Sequence, residues 1–193
     1  MVAPGLAGLE TILGLHSARL IADPDATWGI TIGNPIHDAI REIASSVGVS
    51  FSLDVTINRE RQLTGVYAGD LMTAHGEACE FVASTAMREV DHLFEVVVTT
   101  NSGYPLDLNL YQTVKGMSAA ARVVMPGGSI ICASECSDGL PDHGEYGELL
   151  TSADNPQQLL DKISSPGFSC QDQWQVQVQA QVQLAADVYL KSR

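Results

Sequence analysis

Three residues in one stretch have the types and spacing that chemistry needs. In Ser102–Val124 (SGYPLDLNLYQTVKGMSAAARVV), Gln112 and Lys115 stand three positions apart and Tyr111 adjoins them. On a helix an i, i+3 pair shares a face. A lysine so placed can grip a carboxylate or phosphate as a point charge. The plain alternative for Gln112 and Lys115 is a solvated helix surface. Leu93–Thr99 (LFEVVVT), just upstream, reads as a buried strand. A strand, a Gly-Pro turn and a helix is the unit on which α/β proteins build ligand sites, because ligands collect at the carboxyl ends of strands. Glu135, in ASECSDG after a second apolar run, falls at another such end.

Histidines and cysteines add less. His16 sits near the end of an apolar helical segment, where a structural role is the commoner one. His37 and His75 lie on helical patterns and read as surface residues, His92 and His143 as boundary and loop residues. Cys79, Cys132, Cys136 and Cys170 form no CxxC pair, so a zinc site is not indicated. They read as free buried thiols of a cytoplasmic protein.

The elements that must position these groups follow from patterning. Residues 4–21 read as a helix with proline near its start. Asn34-Pro35 opens a second helix over 36–47, ended by Gly48. Residues 49–58 (VSFSLDVTIN) alternate apolar and polar as a half-buried strand, and 62–68 return as its hairpin partner. Asp70 caps a helix over about 71–88. The charged break MREVDH marks a candidate domain boundary. Pro126-Gly127-Gly128 turns into a second buried strand, 129–133, which with Leu93–Thr99 fits a parallel sheet with a helical crossover. Residues 139–147 read as a loop, and Asn155-Pro156 starts another helix. Residues 171–184 (QDQWQVQVQAQVQL) alternate with period two, yet their helix formers and Asp172 as a cap favour a helix. Val188–Lys191 begins another strand.

Composition excludes several function classes. The 193 residues carry 10 Lys+Arg against 23 Asp+Glu, a formal charge of −13. Nucleic-acid binding draws on cationic residues, so that partner is disfavoured, as is an anionic membrane surface. No apolar run of about 18 residues is present to span a bilayer. No GxGxxG links a strand to a helix, no P-loop is present, and GxSxG is absent. Pattern alone therefore supports an acidic α/β chain with a candidate anion site.

The residues themselves carry more. APGLAGLETILGLHSARL, DPDATWGITIGNPIHDAI, SGYPLDLNLYQTVKGMSAAARVV and DQWQVQVQAQ together resemble the nickel-dependent lactate racemase family, in order and over essentially the whole chain. The resemblance implies an α/β fold. Residues 90–193 would be a C-terminal α/β domain with a parallel or mixed sheet and flanking helices. Residues 1–89 would be a helix–hairpin–helix remnant of a first, cofactor-anchoring domain. It implies a nickel-pincer nucleotide cofactor, with His16 as the nickel ligand. Gln112 and Lys115 match the family's substrate-facing pair, Tyr111 their pocket neighbour, and Trp174 its pocket tryptophan. The implied reaction is inversion of a 2-hydroxy acid by reversible hydride transfer. The family's two catalytic histidines and its cofactor lysine have no matching positions here, so the resemblance implies an inert fragment as it stands. The rival expectations are a non-catalytic paralogue or small hydroxy-acid binding module, and a nicotinamide-dependent oxidoreductase, which the missing glycine fingerprint opposes.

Overall fold

The computed structural model describes residues 5–193. They fall into two compact units, one ending its first segment at Leu15 and resuming over Asp23–Glu89, the other made of His16–Ala22 and Val90–Arg193. The helix expected over residues 4–21 is two helices, α1 (Leu9–Leu15) and α2 (Ala18–Ile21). Residue 4 lies outside the described residues. The break comes where Ser17 takes extended backbone, φ −63° and ψ 152°.

In the first unit, α3 (Pro35–Val47) starts where Asn34 Oδ1 accepts the Ile36 and His37 N–H groups, and it stops at Gly48, whose φ of 77° suits glycine. Helix α4 (Leu71–Ala86) is capped by the Asp70 carboxylate, which accepts the Thr73 N–H at 3.0 Å. Between them β1 (Ser52–Ile57) pairs antiparallel with β2 (Leu63–Gly69). The alternation expected of a half-buried strand is present with its faces reversed. Thr56 is buried, whereas Leu53, Val55 and Ile57 are 63%, 51% and 61% exposed. Helix α4 packs on the hairpin's polar side, where Tyr67 meets Phe81 at 6.3 Å. His37 and His75, expected at the surface, are half-buried and stack at 5.5 Å. Burial first, then the Arg41 guanidinium beside it, lowers the His37 imidazole from its ordinary value.

The second unit is built on a three-stranded parallel sheet, β3 (Phe94–Thr100), β4 (Val124–Ala133) and β5 (Asp187–Lys191), with β4 central. This is the α/β architecture with flanking helices that the sequence led us to expect. Two details differ. The Pro126-Gly127-Gly128 segment does not precede the strand but lies within β4, where pairing shifts from Phe94↔Val124 to Val96↔Ser129. Strand β3 is not buried on both faces, since Val96 and Val98 are 54% and 72% exposed.

Helix α5 (Leu110–Ala120) packs on β3 and β4, and α8 (Gln173–Ala185) on β4 and β5. Val114, Met117 and Ala120 of α5 meet Ile130 and Cys132 of β4 and Val182 of α8 in one core. Cys132 is thus the buried thiol; Cys79, Cys136 and Cys170 are half-exposed, and none is disulfide-bonded. A second core joins α6 (Tyr146–Leu150), α7 (Pro156–Ile163) and the other flank of α8 through Tyr146, Leu149, Leu159, Ile163 and Val176. Helix α6 begins inside the expected loop, and Asn155 Oδ1 caps α7 by accepting the Gln158 N–H at 3.0 Å. Helix α8 is the helix expected despite its period-two pattern. Asp172 holds the N-cap position as expected, but its side chain makes no capping hydrogen bond: with φ 67°, it turns its carboxylate to the Glu145 N–H at 3.3 Å. Among the described residues no helix is long and apolar enough to cross a membrane.

Gly116 sets how closely α5 lies on the sheet. A Cβ there would stand 2.5 Å from the Thr100 carbonyl oxygen. Alanine favours helices, yet Gly116→Ala is expected to destabilise the chain by about 1–3 kcal/mol through overpacking. Urea unfolding checks the sign.

Tyr146 is fully buried, and burial raises its phenol far above the ordinary value. The unfolded chain therefore loses this proton near pH 10 while the folded one keeps it. The stability this proton contributes is complete below pH 10 and is lost as pH rises above it, by about 1.4 kcal/mol per pH unit. Urea midpoints between pH 9 and 11 should fall less steeply in Tyr146→Phe than in the unaltered chain.

Candidate functional site

The first turn of α5 is tied to the carboxyl ends of two adjacent strands. Its N-cap, Asn109, accepts the Gln112 N–H at 3.1 Å. Asn101, just beyond β3, donates to the Gln112 carbonyl at 2.9 Å and to that of Leu106. Ser134, just beyond β4, has its hydroxyl 2.5 Å from that of Thr113, which is fully buried. Glu135 donates its N–H to the Asp107 carboxylate at 3.0 Å and pairs its own carboxylate with Arg193 at 3.0 Å.

On this anchored turn, Lys115 Nζ donates to Gln112 Oε1 at 2.6 Å. Lys115 is exposed and Gln112 half-buried. Among the described residues no carboxylate pairs with Lys115. Its partner is a neutral amide, so the ammonium keeps its charge for an anion.

The second set of expected residues meets across far longer sequence separations. The His16 ring lies 4.8 Å from the Trp174 indole, tilted by 48°. Trp174 Nε1 donates to the Tyr111 hydroxyl at 2.9 Å. Tyr111 stands edge-on to Tyr146 at 5.4 Å, and burial raises its phenol above the usual range. His16, Trp174 and Tyr111 thus form one continuous contact chain. Tyr111 continues along α5 into Gln112 and Lys115, which form the other contact pair.

The period-two reading left out what the glutamines of α8 do. Gln175 Nε2 donates to the Tyr111 carbonyl at 2.6 Å, and Gln177 Nε2 to the Ala18 carbonyl at 2.9 Å. Gln179 Oε1 accepts the Tyr146 hydroxyl. The signal was available: in a helix, alternation turns successive glutamines by about 200°, spreading them round the axis. A buried helix with that pattern must bury some of them.

Among the described residues no three or more His, Cys, Asp or Glu side chains gather as a metal cage. The His16 imidazole lies against the Trp174 indole. A cavity of about 380 Å³ in the first unit, lined by His37, Arg41, Asp54 and His75 among apolar residues, contains none of the expected site residues.

Residues 90–193 match the family model described as the lactate racemase C-terminal domain. The chain is 37% identical over 183 residues to the lactate racemase of Thermoanaerobacterium thermosaccharolyticum, covering 94% of this chain and 42% of that protein. It is 35% identical over 184 residues to the lactate racemase of Lactiplantibacillus plantarum, covering 94% and 43%. The structure of the lactate racemase apoprotein from T. thermosaccharolyticum superposes with a TM-score of 0.92 at 34% identity, over 98% of this chain and 45% of that one. The chain thus spans less than half the length of these relatives. A matched domain model over more than half of the residues, on a fold shared almost throughout, establishes that this chain belongs to the lactate racemase family.

Proposed function

We propose that this chain supplies one wall of the active site of a 2-hydroxy-acid racemase. The observation that carries the reading is the Gln112–Lys115 pair. A cation is held at 2.6 Å by a neutral amide, on a helix turn pinned to two strand ends. Lys115 then fixes the substrate carboxylate, and the Gln112 amide hydrogen-bonds the substrate and orients its Cα. Trp174, with its N–H satisfied by Tyr111, presents an apolar face that keeps water out. Tyr111 lines the pocket beside them.

The donor set fits the nickel-pincer nucleotide of the family. Among the described residues His16 lies outside any cluster of three or more metal-ligating side chains, which suits a metal whose other donors come from an organic ligand. When bound, that group supplies reversible hydride acceptance from Cα. Inversion at Cα would require the substrate to be gripped through groups other than Cα–H, and Lys115 and Gln112 would provide them. We assign the bases that move the hydroxyl proton, and the lysine that carries the cofactor, to polypeptide beyond these 193 residues, which alone are expected to be inert.

The reading is tested in a full-length, nickel-loaded protein bearing this chain, screened for racemisation of a panel of 2-hydroxy acids. Lys115→Ala should raise KM and lower turnover, cutting kcat/KM by about 10- to 100-fold for the loss of a charge-assisted hydrogen bond. Unchanged kinetics would remove Lys115 from the substrate site. His16→Ala should lower the nickel retained after dialysis, and undiminished nickel would remove His16 from the metal. A protein that binds hydroxy acids but racemises none would be a binding module.

A further inference from the structure

The segment that carries His16 is short and depends on packing, with Ala18 set against the core that holds Tyr146 and Val176. Helix α2 has four residues, below the length at which a helix is stable without packing, and Ser17 before it is extended. Two side chains of α8, three residues apart and so on one face, meet this segment. Trp174 lies against the His16 ring, and Gln177 Nε2 donates to the Ala18 carbonyl.

The Gln177 contact is unusual in its energetics. Gln177 is 2% exposed, and its Oε1 is buried without a hydrogen-bond partner. An unmade buried hydrogen bond is destabilising. The Ala18 carbonyl does not need the Gln177 amide, because it also accepts the Ala22 N–H at 3.0 Å. Stability alone would therefore be served as well or better by an apolar side chain of similar length. What the amide adds is direction: it draws the Ala18 carbonyl to α8, two residues beyond His16.

We propose that Gln177 is a positioning residue for His16, setting the imidazole against the Trp174 indole. The functional consequence rests on the reading of His16 as the residue that holds the metal. In that reading Gln177 pre-orients a single imidazole donor before any metal arrives.

The test uses the 193-residue chain without nickel. The ring protons of His16 are followed by NMR, where the neighbouring indole displaces them through its ring current, and thermal unfolding is recorded alongside. In Gln177→Met the displacement should largely vanish while the unfolding temperature stays the same or rises. Gln177→Leu should behave alike, and Trp174→Leu marks the shift with no indole present. A displacement retained in both Gln177 variants overturns the proposal. So does loss of the folded state in both, which would make Gln177 a structural residue of α8. Because no nickel enters this measurement, its outcome is independent of the nickel retained in His16→Ala.

Discussion

Helix α8 is buried on most of its circumference, and a buried amide must be hydrogen-bonded. Gln173, Gln175, Gln177 and Gln179 are all buried on it. Their partners are the Cys170 N–H, the Tyr111 carbonyl, the Ala18 carbonyl and the Tyr146 hydroxyl. One constraint therefore ties α2, α5 and α6 to a single helix. Val176 and Ala180, between the glutamines, pack in the core with α6 and α7, while Val182 packs in the core with α5 and β4. Apolar contacts give α8 its burial. The amides give it direction, because a hydrogen bond has a preferred geometry and a methyl contact does not.

The same helix links the two contact sets of the site. Tyr111 is held by α8 at its hydroxyl and at its carbonyl. Gln112, next along, is held at its carbonyl by Asn101 and at its N–H by Asn109. The backbone of these two residues is thus fixed from both the sheet side and the α8 side. The Gln112 amide oxygen, committed here only to Lys115, can be redirected without breaking an element of the fold.

Much of this was legible in the sequence, for identifiable reasons. Asn34, Asp70 and Asn155 cap helices because a short polar side chain before an apolar-periodic run satisfies the first N–H groups. The Gln112–Lys115 pair followed from i, i+3 spacing. Burial was less legible. Alternation in β1 showed which residues are apolar but not which face α4 covers, so Leu53 and Val55 came out exposed and Thr56 buried. Local signals also misled where backbone geometry overrode them: Asp172 sits at φ 67° and turns its carboxylate to the Glu145 N–H, away from α8. The Tyr111–Trp174 and Ala18–Gln177 contacts span 63 and 159 residues. No spacing rule reaches so far; only likeness to the family singled out His16 and Trp174, and it did not point to Gln177.

If Lys115 grips a substrate carboxylate, as proposed above, the charge of the chain sharpens what that site must do. A 2-hydroxy acid is an anion, and the chain carries a net −13. Charges beyond about 8 Å are largely screened at physiological salt, so recognition is decided locally. An exposed ammonium gains only about 1 kcal/mol from an anion at 4 Å in water, and several times that once water is excluded. A carboxylate partner for Lys115 would cancel its charge and compete with the substrate. The Gln112 amide avoids both penalties: it orients the ammonium, yields to a substrate carboxylate without leaving a charge unpaired, and still has an N–H to donate. In the proposed reading, the pairing of lysine with glutamine rather than with glutamate is what lets an acidic chain present an anion site.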